Sequence, residues 1–181
     1  MRLNDDFTVD KYGLHVRLVN EGDAEFIVAL RTDPKLGRYI HSTDSDVEKQ
    51  REWIRQYKAR EKEGKDYYFI YYSDGKPIGV NRIYDIEDNY ATGGSWVCKP
   101  GTSIDLPILA LIIMREIMFE ILSLSYDRYD IRRKNLKVLR LNELFGGCKT
   151  AETDLDCYFE LSKDTFVQRK MYLLNLLNIN K

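Results

Sequence analysis

The stretch Asp130-Ile-Arg-Arg-Lys-Asn135-Leu-Lys-Val138-Leu-Arg-Leu141-Asn-Glu-Leu-Phe145-Gly146 changes its periodicity at one residue. Up to Ile131 the chain reads as a strand, over 126–131. Beyond Asn135, the residues Val138, Leu141 and Phe145 recur at helical spacing and predict a helix over 134–145. Asn135 stands where a helix N-cap is wanted, and Gly146-Gly147 where a helix must stop.

The chain on either side continues in strand and helix units. Upstream, 105–122 is apolar nearly all round in its first half, with Arg115, Glu116 and Glu120 only later. A helix of that composition is buried on more than one side where it begins. Before it come strands at 92–98, 77–86 and 66–72, the last two joined by Ser73-Asp74-Gly75-Lys76. Asp-Gly between two such runs is a strong hairpin signal. A charged helix over 46–63 carries Val47, Trp53, Ile54 and Tyr57 as its apolar stripe and ends at Gly64. Earlier still, 13–19 alternates as a strand. Asn20 with Asp23 then opens a helix bearing Ala24, Phe26, Ile27 and Leu30, which Pro34 and Gly37 stop. Downstream lie strands at 149–153 and 156–161 and a helix over 166–177. The order is β-α-α-β-β-β-α-β-α-β-β-α, an α/β chain read as one domain over 1–181 with its core in 13–161.

The 181 residues are ample for one well-buried core. A formal net charge of −1 lacks the concentrated positive field that nucleic acid or a membrane surface would require. Met1 to Asp6 has no signal-peptide core, and the longest apolar run, 106–114, is far too short to span a bilayer. Cys98, Cys148 and Cys157 have neither an even count nor metal-ligand spacing, so free thiols in a reducing cytoplasm are expected, with no metal.

This order is similar to the acetyl-CoA-dependent GNAT N-acetyltransferase fold, a mixed, mostly antiparallel sheet flanked by helices. The likeness runs from about Gly13 to Leu161, and the 130–146 segment carries its most specific local match. Arg17-Leu18, Asp23-Ala24 and Leu30-Arg31-Thr-Asp33-Pro34 resemble the branch that holds ribosomal-protein and amino-sugar acetyltransferases. The resemblance implies acetyl-CoA as co-substrate. Backbone N–H groups at a helix N-terminus can hold a pyrophosphate without a dedicated cation. The candidate cradle is Cys98-Lys-Pro-Gly-Thr-Ser103, between a strand and the most buried helix. Val97, Cys98, Lys99, Gly101, Thr102, Ser103, Asn135 and Val138 form the expected cofactor-binding set. The family's usual Q/R-x-x-G-x-G/A loop is replaced by a shorter one with a single Gly and a Pro. Gly101 reads either as cradle or as plain turn, and Asn135 either as cofactor contact or as cap.

The acceptor side is expected to use Tyr39, His41, Asp44, Arg82, Tyr84 and Trp96, with His41 and Tyr84 as candidate catalytic groups. Trp96 reads equally as core, and His41 as a solvated loop residue. His15 reads as a structural histidine, and Cys98 and Cys148 as small packing residues. Many relatives carry a Glu on the central strand and a Tyr in the helix after the Asn; here stand Thr92-Gly-Gly-Ser-Trp96 and Asn142. The expected activity is direct transfer of acetyl from acetyl-CoA to the primary amine of a small molecule such as an amino sugar, with a homodimer allowed but not required. Acetylation of a protein N-terminus, for which Asp44, Asp46 and Glu48 would supply an acidic groove, and non-catalytic binding of CoA or another ligand are the alternatives.

Overall fold

The computed structural model describes residues 2–36, 39 and 43–179. In chain order the elements are β1 (Thr8–Lys11), β2 (Leu14–Leu18), a 3₁₀ turn (Glu21–Asp23), α1 (Ala24–Thr32), α2 (Val47–Lys62), β3 (Asp66–Ser73), β4 (Lys76–Tyr84) and β5 (Tyr90–Cys98). Then follow α3 (Asp105–Glu116) with a π turn (Ile117–Ile121), β6 (Tyr126–Arg132), α4 (Leu136–Phe145), β7 (Cys148–Glu152), β8 (Asp156–Ser162) and α5 (Lys163–Leu176). The strands form one sheet in the order β1-β2-β3-β4-β5-β6-β8-β7. Every neighbouring pair is antiparallel except β5 and β6.

Local chemistry explains where the helices begin. Asn20 and Asp23 form a reciprocal capping box, and Asp46 Oδ1 accepts from the N–H groups of Glu48 and Lys49 at 2.8 and 3.3 Å. Asn135 caps α4, and Gly146 closes it in the left-handed region at φ 80°.

The sheet separates two cores. Ile54 and Tyr57 of α2 and Ile27 and Leu30 of α1 pack with Tyr68, Ile70, Val80 and Val97. On the other face α3 packs against Tyr67, Phe69, Tyr71, Ile83 and Ala91, joined by Phe145 of α4 and Phe166 and Leu173 of α5. The alternation along β3 sends its aromatics to both faces in turn. No helix among the described residues is long and apolar enough to cross a membrane.

The core reaches beyond 13–161, since Leu3, Phe166, Leu173 and Leu174 are buried in it. The strand β1, which lies ahead of the first strand expected from the sequence, pairs with β2 through a turn at Tyr12-Gly13. Its four residues, Thr8 and Asp10 exposed and Val9 and Lys11 half-buried, are too few and too polar to give a period on their own. Tyr12 Oη and Lys11 Nζ both reach Glu116 at 2.8 Å, and Lys170 of α5 meets the same carboxylate at 3.0 Å. One buried acid thus ties β1 and α5 to α3.

A second buried pair joins Arg115 Nε of α3 to Asp127 Oδ2 of β6 at 3.0 Å, with side chains 6% and 0% exposed. The guanidinium also lies 4.3 Å from the centroid of the Phe145 ring. Removing the acid alone would strand a buried cation. Asp127→Ala should therefore cost about 3–5 kcal/mol, read as a lower midpoint of urea unfolding. Combining it with Arg115→Met should recover part of the loss, because two apolar groups leave no unpaired charge.

Candidate functional site

The parallel strands β5 and β6 share only the pairs Tyr90 with Tyr126 and Ala91 with Asp127. Past Ala91 the Gly93 N–H is taken by the Asp127 side chain, at 2.8 Å, rather than by the β6 backbone. From that point the strands diverge into a wedge, and β5 is half-exposed from Thr92 to Trp96 although it lies in mid-sheet. Close approach makes the two glycines necessary. A Cβ on Gly93 would lie 2.7 Å from Met114 Cε and 2.9 Å from Asp127 Oδ1, and one on Gly94 would lie 2.9 Å from Tyr84 Oη.

Ser95 takes a positive φ of 52°. The β4–β5 register slips there, with Arg82 opposite Gly94 but Val80 opposite Val97. Ser95 and Trp96 therefore oppose Asn81 alone, as in a β-bulge. The extra residue reverses the alternation. Arg82 and Tyr84 face α1 and α2, whereas Trp96 packs into the α3 core. Trp96 is thereby separated from the acceptor-side residues with which the sequence reading grouped it, and its indole N–H is buried near the Cys98 thiol.

The loop 98–104 leaves the end of β5 and is anchored by the Lys99 N–H donating to Ile78 O at 2.7 Å. Gly101 has φ 82°, and no atom lies within 4 Å of where its Cβ would be, so backbone conformation alone asks for glycine. The expected hydroxyl donors are already engaged within the chain. Thr102 Oγ1 donates to Lys99 O at 2.7 Å and Ser103 Oγ to Asp105 Oδ1 at 2.6 Å. Ser103 holds the Asp105 carboxyl below its usual range, which places an anion in the first turn of α3. Ile104, the N-cap of that helix, offers no side-chain bond to its first N–H groups. Asn135 Oδ1 accepts from the half-buried Val138 at 3.4 Å, so its capping role is realised.

On the α1/α2 face lies a cleft of about 280 Å³ lined by Arg31, Thr43, Asp44, Lys49, Gln50, Trp53, Tyr68 and Arg82. Asp66 Oδ2 accepts from Arg82 NH2 at 2.5 Å and from Arg60 Nε at 3.1 Å. The guanidinium of Arg82 is 4.7 Å from the Tyr84 ring centroid and 5.1 Å from that of Trp53. Arg31 Nε donates to Thr43 Oγ1 at 2.6 Å, and Lys49 pairs with Asp44 at 2.5 Å. Arg31, Lys49, Arg60 and Arg82 outnumber the carboxylates of Asp44 and Asp66, which leaves this cleft electropositive.

Of the acceptor-side residues expected from the sequence, the cleft thus gathers Asp44 and Arg82, with Tyr84 stacked beside Arg82. Tyr39 Oη instead donates to Lys134 O at 3.1 Å, over the junction of β6 and α4. His41 lies outside the described residues. Arg31, Lys49, Gln50 and Trp53 were missed as a group, although buried Gln50 in the α2 stripe was a polar interruption that could have signalled them. The acidic groove is not realised, since Asp44 is paired, Asp46 caps α2 and Glu48 meets Arg51. Asn142 is buried, accepts from Tyr129 Oη and donates to Gly147 O at 3.4 Å. His15 is held by Asp10 at 2.8 Å. Cys148 is exposed on the edge strand β7, not packed in the core, because β8 covers only one of its sides.

The family described as "Acetyltransferase (GNAT) domain" matches residues 14–147. Among solved structures, apo FdhC, a nucleotide-linked sugar GNAT, shares 32% identity over 92% of this chain and 96% of its own, with a TM-score of 0.84. The ribosomal-protein-S5-alanine acetyltransferase of Vibrio fischeri shares 16% identity over 88% of this chain and 98% of its own, at a TM-score of 0.76. The spermidine N-acetyltransferase of Vibrio cholerae, solved with CoA and spermine, shares 16% over 86% and 98%, at 0.73. The last two likenesses show the fold. None of the curated proteins matches the chain.

The thiols make a test of this geometry. Burial pushes Cys98 up to about 12, and Cys157 is buried, whereas Cys148 faces solvent. At pH 7.5 one thiol should label with iodoacetamide while the protein is native, and peptide mass should place the label on Cys148. The other two should react only on unfolding.

Proposed function

The chain belongs to the GNAT acetyltransferase family, and from that premise we propose that it acetylates the primary amine of a small anionic acceptor, such as a nucleotide-linked amino sugar. The cleft of Arg31, Lys49 and Arg82 beside the wedge is the observation that carries this reading. A cleft with an excess of guanidinium and ammonium groups attracts phosphate or carboxylate and disfavours a polyamine. It equally disfavours a cationic peptide N-terminus, and the acidic residues of 44–48 are spent on partners and caps. The likeness to FdhC, a nucleotide-linked sugar GNAT at 32% identity, points in the same direction.

Acetyl-CoA fits what the wedge offers. The outer edge of β5 presents backbone groups from Thr92 onward without a strand partner, and Gly93-Gly94 keeps that edge free of side chains. Exposed Ile104 and Leu136 stand at the C-terminal ends of parallel β5 and β6, where an extended apolar arm would pass. Val97, Cys98, Lys99 and Gly101 to Ser103 would hold the cofactor at one lip, and Asn135 with Val138 at the other. Grip on a pyrophosphate would rest on backbone N–H groups, since the Thr102 and Ser103 hydroxyls are engaged. When bound, acetyl-CoA supplies an acyl thioester whose carbonyl carbon an amine can attack.

The chain's own part is to orient the amine and exclude covalent detours. Orientation alone removes much of a bimolecular barrier. No cysteine is activated to carry the acyl group: Cys98 is held as a thiol, Cys157 is buried and Cys148 lies on the far edge of the sheet. Localisation in the cytoplasm accords with three free thiols.

Acetyl-CoA should raise the melting temperature, and CoA thiol release should be fastest with nucleoside-diphosphate-linked amino sugars in a panel that includes spermine and an N-terminal alanine peptide. Arg82→Ala should raise the acceptor KM about tenfold or more, through the lost charge-assisted bonds. Intact mass after acetyl-CoA without acceptor should show no adduct. A thermal shift with no turnover on any acceptor would make the chain a non-catalytic binder. No shift at all would remove the premise of CoA binding.

A further inference from the structure

We propose that Gln50 of α2 selects the acceptor, by offering its buried carboxamide to a neutral polar group of the anionic molecule held in the cleft. The assignment rests on the proposed acetyltransfer and deepens it. It names a second kind of group that the acceptor must carry beside its phosphate or carboxylate.

The buried residues of α2 are Gln50, Ile54, Tyr57 and Glu61, at the spacing of one helix face. Gln50 and Glu61 interrupt the apolar run at its two ends. Glu61 accepts from the Tyr57 hydroxyl and, at 2.8 Å, from Lys58 Nζ. Gln50 is 9% exposed, and its side chain has no hydrogen-bond partner among the described residues. Every other buried carboxylate, carboxamide and guanidinium among them has at least one. Asp23 and Asp66 hold arginines, Asp127 is paired with Arg115, and Asn81, Glu116 and Asn142 each accept from a tyrosine hydroxyl. A buried carboxamide without a partner costs stability, and a leucine at position 50 would complete the stripe.

What Gln50 faces is the cleft of about 280 Å³. Gln50 and Tyr68 are the buried members of its lining and form its floor. Arg31, Trp53 and Arg82 are half-buried, and Asp44 and Lys49 stand exposed at the rim. The Tyr68 hydroxyl lies beside the Arg31 guanidinium, whereas the carboxamide presents one acceptor and two donors with nothing set against them. Cations around an opening draw an anion by its charge and do not read its identity. A carboxamide is matched only by a group that gives and takes a hydrogen bond, which on a nucleotide-linked sugar is a sugar hydroxyl or the ring N–H and carbonyl edge of the base. An acceptor without that group would leave the amide enclosed and unpaired, and this penalty discriminates more sharply than a missing attraction.

The test uses Gln50→Met, which keeps the length of the side chain without its hydrogen bonds, and Gln50→Leu as a second variant. Both should withstand urea at least as well as the parent, because an unpartnered polar group has been removed. The substrates are acetyl-CoA and the nucleoside-diphosphate-linked amino sugar that the parent acetylates fastest. Both variants should raise the acceptor KM about tenfold or more, with kcat and the acetyl-CoA thermal shift close to the parent's. Two sets of analogues of that acceptor locate the group: single deoxy sugars, and a base methylated at its ring N–H. The parent should reject one analogue by about tenfold or more, and Gln50→Met should take it as readily as the unmodified acceptor. A deoxy sugar in that place assigns the group to the sugar, and the methylated base assigns it to the base. Parental KM in both variants, or variants that discriminate as the parent does, would overturn the role of Gln50 and leave the acetyltransferase reading intact. Lower stability with parental KM would do the same, by making Gln50 a packing residue. Absence of turnover in the parent on every acceptor would overturn both.

Discussion

With Asp127 fully buried, each of its oxygens has one task, and the sheet takes its shape from the two together. Oδ2 holds the Arg115 guanidinium of α3, and Oδ1 takes the Gly93 N–H of β5. A carboxylate reaching sideways from β6 thus fills the place of a backbone carbonyl in the ladder. The parallel pairing stops after two residue pairs, and the strands open from a fixed point. A buried ion pair is seldom a net source of stability once desolvation is counted. Its value here is geometric, because it sets where the wedge begins and ties that position to the helix beneath it.

The bulge at Ser95 is the second constraint, and it divides the molecule by face. Without the extra residue, position 96 would share the face of Gly94, and a tryptophan would fill the space beside Tyr84. With it, Trp96 turns into the α3 core and the acceptor face of β5 is left bare at Gly94. The wedge therefore has an apolar, sealed side below and a polar, open side above. A thioester arm and a charged acceptor need those two environments, and one residue at positive φ separates them.

Much of the architecture was legible in the sequence because it was written in local patterns. The Asn20/Asp23 box, the Asp74-Gly75 turn and the Asn135-to-Gly146 helix each depend on residues within a few positions of one another, and each forms as expected. Tertiary features were less accessible. A period of two cannot announce the bulge at Ser95, so the sequence left Trp96 between the acceptor side and the core, and the fold turns it to the core. Thr102 and Ser103 have free hydroxyls on paper, but the loop turns them back onto Lys99 and Asp105. Arg31, Lys49 and Arg82 come from three separate elements, and only packing α1 and α2 on the sheet reveals their common cleft.

The cleft also shows why a count of charges along the chain misleads about a site. Asp44, Asp46 and Glu48 make residues 44–48 look acidic, yet the first is neutralised by Lys49 and the second is turned toward the start of α2. Asp66 is nearly inaccessible, and its charge is met by Arg60 and Arg82 from two directions. Two guanidiniums on one carboxylate leave an excess of one positive charge, held rigid by Trp53, Tyr68 and Tyr84 stacked around Arg82. A cation fixed in that way keeps its electrostatic pull while losing little side-chain entropy when a ligand arrives. A protein with a net charge near zero can therefore still present a strongly polarised site, provided that its acids are spent below the surface and its bases above it.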